Sequence, residues 1–153
     1  GMVKTYVKWE KETKNELVGL EVPFDVKIGE ITFTGRIDRL EKNPDGKYEV
    51  VDFKSGKTVK SKNKAKIDPQ LNIYAKAVEK LKGELPVKAS LFYVEKDKMV
   101  EYPVTEESVK ETVDTIIGMT KEILLENFEP TPSYNACFFC SYQSICDAKV
   151  TEE

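Results

Sequence analysis

Apolar and polar residues alternate in the first third of the chain, which predicts β-strands there. Between residues 17 and 27 the apolar side chains take every second position, at Leu20, Val22, Phe24 and Val26. This period is typical of a strand with one buried face. Pro23 lies inside the run and favours an edge or bulged strand, because proline cannot donate to a sheet ladder.

Two further strands are predicted to form a hairpin. The first covers residues 31–40 and the second ends in the sequence Val51-Asp52-Phe53-Lys54. Between them lies a turn over residues 43–46 that ends in Asp-Gly, a strong hairpin signal when β-rich runs flank it. The first three strands are therefore expected to form an antiparallel meander.

Helical and strand patterns alternate in the rest of the chain. Asp68-Pro69 predicts a helix start, and the helix should end at Gly83. Strands follow over residues 87–94 and 99–104, and Thr105 caps a long helix to about residue 127. This order, without internal repeats, predicts an α/β domain with a mixed central sheet. Residues 2–14 read as a short helix or the remnant of a longer one.

Composition narrows the function classes. The chain has 153 residues and a net charge of −3, which fits one domain and gives no global signal for nucleic-acid binding. It contains no histidine, which excludes Ser-His triads and histidine zinc sites, and it has no P-loop motif. No apolar run approaches a membrane span. Three cysteines cannot form an even disulfide framework, so a cytoplasmic protein is expected.

The hairpin carries Asp38 on its first strand and Asp52 and Lys54 on its second. Carboxylates in a buried hairpin are costly unless something pairs them, and a divalent cation would do so. Two carboxylates and a backbone carbonyl suit Mg²⁺, and a neighbouring lysine can orient or deprotonate a water. The pattern predicts metal-assisted phosphodiester hydrolysis. A purely structural Asp–Lys pair is the alternative.

Two sets of basic residues are candidates for phosphate contact. Five lysines follow the hairpin within ten residues: Lys57, Lys60, Lys62, Lys64 and Lys66. Such a run is either a solvated loop or a surface for a polyanion. The two arginines of the chain, Arg36 and Arg39, flank Asp38. They either contact DNA or brace the hairpin through carboxylates, since the guanidinium fork suits both.

The C-terminal tail contains Cys137, Cys140 and Cys146, and there is no other cysteine in the chain. Three thiolates this close together predict a soft-metal site, with free thiols or a zinc or redox module as alternatives. Three ligands do not complete a tetrahedral zinc site or a four-cysteine cluster. The fourth must come from Asp147, from solvent or from a cysteine outside this chain.

Four motifs occur in a specific order. They are Gly35-Arg36-Ile37-Asp38-Arg39, Val51-Asp52-Phe53-Lys54-Ser55-Gly56, Asp68-Pro69-Gln70-Leu71-Asn72-Ile73-Tyr74-Ala75 and the three cysteines. Together they resemble the RecB-like branch of the PD-(D/E)xK nuclease superfamily, over roughly residues 21–146. That branch includes nuclease domains of helicase–nuclease complexes and related CRISPR adaptation nucleases.

The resemblance implies a restriction-endonuclease-like core, a mixed sheet flanked by helices, with a cysteine-rich tail. It implies a Mg²⁺- or Mn²⁺-dependent deoxyribonuclease of the exonuclease type in DNA repair or recombination. Asp38 and Asp52 would bind the metal with the Phe53 carbonyl, and Lys54 would position the water. The resemblance places Gln70 and Tyr74 around that lysine and the DNA backbone, as part of the catalytic set. Residue type adds four candidate nucleic-acid contacts: Arg36, Arg39, Lys57 and Lys60.

The resemblance also implies a [4Fe–4S] cluster held by Cys137, Cys140 and Cys146, with a fourth ligand outside this chain. A helicase subunit or domain is the implied partner besides DNA. Family members usually begin with a helical segment carrying a cysteine and often a histidine, which this chain lacks. We therefore expect a single domain with a remnant of that segment at 1–16, a nuclease core at 17–128 and a tail at 129–153. A non-catalytic DNA-binding or scaffold domain is the alternative function.

Overall fold

The computed structural model describes residues 1–56, 58–59 and 68–151. The strands in these ranges are β1 (Glu16–Ile28), β2 (Ile31–Lys42), β3 (Tyr48–Lys54), β4 (Lys88–Tyr93) and β5 (Lys98–Pro103). The α-helices are α1 (Met2–Glu12), α2 (Pro69–Lys82), α3 (Glu106–Leu124) and α4 (Tyr134–Phe138). A short 3₁₀ turn over Val94–Lys96 joins β4 to β5.

The five strands form one mixed sheet in the order β1-β2-β3-β4-β5. β3 and β4 run parallel, and the other neighbouring pairs are antiparallel. The predicted α/β class and mixed sheet are confirmed. β1 is an edge strand as expected, but its irregularity lies between Leu17 and Gly19, while Pro23 pairs in register with Arg36.

Helix α2 begins and ends at the residues that the sequence indicates. The Asp68 carboxylate accepts the Gln70 amide at 3.0 Å, and Pro69 takes the first helical position. Gly83 ends the helix with a φ of 81°, a left-handed conformation that glycine adopts without steric cost. Leu71 and Val78 of α2 are fully buried in the main core against the sheet. This packing fixes the helix beside the end of β3.

Helix α1 covers the opposite face of the sheet. Tyr6 and Trp9 pack their rings on Phe53 of β3, with centroids 5.5 and 6.0 Å apart, and Trp9 also packs on Phe92 of β4. Neighbouring residues on a strand point to opposite faces. Phe53 therefore faces α1, whereas Lys54 faces α2.

The chain divides into two compact units, Gly1–Thr120 and Lys121–Glu153. The first contains the whole sheet, α1 and α2. The second contains α4 and the three cysteines. None of the helices in the described ranges is both long and apolar enough to cross a bilayer.

Candidate active site

Asp38 and Asp52 lie where β2 and β3 part. The paired register of these strands ends at Arg39 and Val51, so that Asp38 and Asp52 come next on each strand. There the Asp38 Oδ2 accepts the backbone amide of Phe53 at 2.9 Å. Just beyond the last paired residues, this carboxylate thus accepts a hydrogen bond from a backbone N–H of β3. This bond anchors Asp38 beside Asp52.

The negative charge of the buried Asp52 carboxylate is only partly compensated by its surroundings. Its side chain is 3% exposed, and its Oδ2 lies 2.7 Å from the Lys54 Nζ. This contact is an ion pair, and no further partner of Oδ2 is found among the described residues. Burial raises the pKa of Asp52, attraction to Lys54 opposes the rise, and the negative charges of Asp38 and Asp68 add to it. Such an oxygen is suited to accept a cation.

Lys54, Gln70 and Tyr74 form a chain of hydrogen bonds next to Asp52. Lys54 Nζ donates to Gln70 Oε1 at 2.8 Å, and Gln70 Nε2 lies 2.9 Å from the Tyr74 hydroxyl. An ammonium can only donate, so the carbonyl of Gln70 faces Lys54 and its amide group donates to Tyr74. The spacing of four residues in α2 places both side chains on one helix face. This chain holds the Lys54 ammonium at the end of β3.

Tyr74 belongs both to the hydrophobic core and to this series of hydrogen bonds. It is 7% exposed and packs with Leu71 and Val78 in the main core. Burial raises the pKa of Tyr74 to about 12, and the charges of Asp52 and Asp38 contribute. The phenol therefore stays protonated at neutral pH. From residue spacing alone Tyr74 reads as a core residue, and only its resemblance to a family motif indicates a site.

Comparison with known families decides the classification. A family model described as the PD-(D/E)XK nuclease superfamily matches residues 1–147. The chain belongs to this superfamily. Its mixed five-stranded sheet flanked by helices is the restriction-endonuclease-like fold that was expected.

Two similar proteins provide further context. The CRISPR-associated exonuclease Cas4 of Saccharolobus solfataricus is 30% identical over 118 residues, covering 76% of this chain and 53% of that protein. The chain thus spans about half the length of this curated relative. The crystal structure of SSO0001 matches with a TM-score of 0.53 and 22% identity, over 98% of this chain and 68% of the other. At this identity the structural match shows the fold alone.

The acids of this superfamily member fit an open metal site better than a closed cage. Within residues 1–56, 58–59 and 68–151, no three acidic or cysteine side chains are grouped so that they could hold an ion. Mg²⁺ commonly uses one or two carboxylates and completes its shell with water and substrate phosphate. Asp38 and Asp52 would supply such a pair. The Phe53 carbonyl as a third ligand stays a prediction.

The two arginines of the chain lie in different environments. Arg36 is exposed and lines a cleft with Gln70 and Tyr74. Arg39 is only 1% exposed, so the prediction that it contacts DNA is corrected: a buried guanidinium cannot reach a phosphate. The sequence left two interpretations of Arg39 open, and the structure favours the one in which it braces the hairpin through carboxylates.

The predicted phosphate contacts Lys57 and Lys60, with Lys62, Lys64 and Lys66, lie outside the described residues.

The partners of Arg39 were not singled out by the sequence. Its Nε lies 2.5 Å from Glu41 Oε1, its Nη1 lies 2.8 Å from Glu10 Oε2, and its guanidinium stacks 4.9 Å from the Trp9 ring centre. Burial alone would lower the pKa of Arg39, but hydrogen bonds and charges of Glu41 and Glu10 raise it overall. Arg39 and Glu41 are two residues apart on one strand, and this spacing was the available signal for their ion pair. The partners of Arg39 on α1 could not be predicted from spacing.

The three cysteines lie in the second unit and are all free thiols. Cys137 is buried, Cys140 is exposed and Cys146 is half-buried. The backbone amide of Val150 donates to Cys137 Sγ at 3.4 Å. Three thiols are not gathered into a metal-holding group in the described ranges. The predicted cluster therefore stays a prediction.

Proposed function

We propose that the chain is a Mg²⁺- or Mn²⁺-dependent deoxyribonuclease of the exonuclease type, in the RecB-like branch, acting in DNA repair or recombination. The observation that carries this proposal is the buried Asp52, beside Asp38, whose neighbour Lys54 is tied to Gln70 and Tyr74. The similarity to a protein named as an exonuclease supports the reaction class.

Each residue has a distinct part in this proposal. Asp38 and Asp52 would hold the metal, which when bound supplies positive charge against the charge that develops on the phosphate. Lys54 would orient the attacking water at its ammonium. Gln70 keeps that ammonium in place, because its carbonyl oxygen accepts from Nζ at 2.8 Å. Tyr74 in turn fixes the Gln70 amide through its hydroxyl. Both side chains would face the DNA backbone.

A cleavage assay tests the role of Lys54. We expect Lys54→Ala to lower the rate of Mn²⁺-dependent oligonucleotide cleavage by about 10²–10⁴-fold, the usual contribution of a positioned acid–base group. The matched control is Lys110→Ala, which removes an exposed lysine whose ion-pair partner is Asp114 on α3. Equal cleavage by Lys54→Ala and the parent would refute the assignment.

A non-catalytic DNA-binding or scaffold domain of a helicase–nuclease complex is the second candidate. The observation that favours it is the lack of a third metal-holding side chain in the described ranges. Calorimetric titration with Mn²⁺ separates the two functions. A nuclease should bind the ion in the parent and lose that binding in Asp38→Ala. A parent that binds no ion would favour the scaffold.

The cysteine tail extends the proposal to a cofactor. Cys137, Cys140 and Cys146 would hold a [4Fe–4S] cluster with a fourth ligand from outside this chain. The support is the number of thiols in a short segment and the amide that donates to Cys137 Sγ. Iron and zinc analysis after anaerobic purification tests it, and zinc without iron would contradict it.

A further inference from the structure

A cleft lies between the β1–β2 hairpin and helix α2. It has a volume of about 430 Å³, which is within the range of small-molecule sites. Its walls share two residues, Gln70 and Tyr74, with the chain of hydrogen bonds that ends at Lys54. The hairpin side of the cleft includes Phe24, Phe33, Gly35 and Arg36. The cleft is therefore continuous with the candidate site but contains neither of its acids.

Two phenylalanine rings give the cleft an aromatic wall. Phe24 and Phe33 are half-buried: both line the cleft, and both also pack against the buried core. Phe24 packs edge-on against Tyr74, with centroids 5.8 Å apart and planes at 77°. Its ring also lies across Gly35, where an added Cβ would be 2.9 Å from Phe24 Cζ. The absence of a side chain at residue 35 allows this ring position.

Arg36 supplies the charge of the cleft. It is exposed on β2, and it is the one ionisable cation among the described residues that line the cleft. The chain as a whole carries a charge of −3, so attraction of a phosphate needs a local cation. The planar guanidinium binds a phosphate through two parallel hydrogen bonds. An entirely apolar ligand would offer the Arg36 guanidinium no acceptor.

We propose that this cleft holds the nucleoside next to the phosphate that is cleaved, with its base against Phe24 and Phe33 and an adjacent phosphate at Arg36. Every base has a π-face, so stacking on these rings does not depend on sequence. The shared residues Gln70 and Tyr74 connect the bound nucleoside to the Lys54 ammonium. This inference rests on the proposed nuclease function and adds a substrate-binding subsite to it.

Oligonucleotide binding tests the subsite. Affinities of the parent are measured by fluorescence anisotropy for a four-nucleotide thymidine strand and for an abasic strand of the same length, with Ca²⁺ replacing Mg²⁺ to prevent cleavage. We expect the strand with bases to bind about 5- to 150-fold more tightly, the range of one base–aromatic stack. Phe33→Leu should reduce that ratio to below about 3-fold. The control Phe139→Leu changes an exposed ring of the second unit and should leave it unchanged.

Arg36→Gln provides an independent variant at an exposed position. It should weaken binding of both strands equally and reduce the salt dependence by about one phosphate contact. Equal affinity of the parent for both strands would overturn the inference, and so would an unchanged ratio in Phe33→Leu. If the parent still cleaves DNA in those cases, only the subsite is wrong. A parent that neither binds nor cleaves DNA would refute the nuclease function as well.

Discussion

Replacing Arg39 by methionine should strongly destabilise the first unit. Arg39 is 1% exposed, and its nearest partner Glu41 is equally buried. Methionine keeps much of the side-chain volume but removes the charge. Glu41 then retains one hydrogen bond described here, from Asn15 Nδ2 at 3.0 Å. A buried carboxylate is left without its counter-charge, and the contacts of β2 with Glu10 and Tyr6 of α1 are lost as well.

The magnitude follows from the burial of both groups. Breaking a buried ion pair by removing one partner costs about 3–5 kcal/mol of unfolding free energy. For a domain of this size each kcal/mol lowers the melting temperature by about 2–4 °C. We therefore expect Arg39→Met to melt about 6–20 °C below the parent. An exposed pair would be worth only about 0–1 kcal/mol.

Thermal and urea unfolding by circular dichroism measure this effect. Arg36→Met is the matched control, because it makes the same change at an exposed position three residues away on the same strand. The double variant Arg39→Met, Glu41→Leu should regain most of the loss, since an apolar pair can replace a buried ion pair. If Arg39→Met is as stable as Arg36→Met, or if the double variant is no more stable than the single one, the account of this brace is wrong.

Three further substitutions, the last with a matched control, probe the acid, the core and the cleft. In EDTA at pH 7, Asp52→Asn should raise the melting temperature, because burial raises the pKa of this acid and disfavours its charge; the gain should vanish below about pH 4, where the acid is protonated in both states. Asn72→Ala should cost about 1–3 kcal/mol in urea unfolding, because the buried tyrosine hydroxyl of β5 loses its acceptor. Gly35→Ala should destabilise the fold by displacing Phe24, whereas Gly118→Ala, which meets no neighbour, should stabilise α3 by about 1 kcal/mol; equal effects in thermal unfolding would refute the steric argument.

Local signals in the sequence were sufficient for most of the fold. The Asp-Gly turn, the alternation in β1 and the Asp68-Pro69 helix start each depend on residues close in the chain, and the structure confirms them. The antiparallel meander and the mixed sheet were predicted from the order of strands and helices along the chain. The positions of strand ends differ by only a residue or two from those predicted.

The fate of Arg39 could not be predicted in the same way. A guanidinium suits a phosphate and a carboxylate equally well, so its residue type does not decide between a DNA contact and a brace. The decision depends on Glu10 and Trp9, which come from α1, about thirty residues earlier in the chain. Packing of α1 on the sheet buries Arg39 and leaves Arg36 exposed. Only tertiary structure separates these two neighbours.

The separation of β2 from β3 explains why the residues of the candidate site come together at the end of β3. β3 pairs in parallel with β4, and this arrangement requires a long connection. Its helix, α2, packs on one face of the sheet. The start of α2 therefore brings Gln70 next to Lys54, at the carboxyl end of β3. On the other side β2 no longer pairs with β3, and the Asp38 carboxylate bonds to the Phe53 amide instead. Three chain segments thus converge on Asp52, and ligands of α/β sheets commonly bind at the carboxyl ends of such strands.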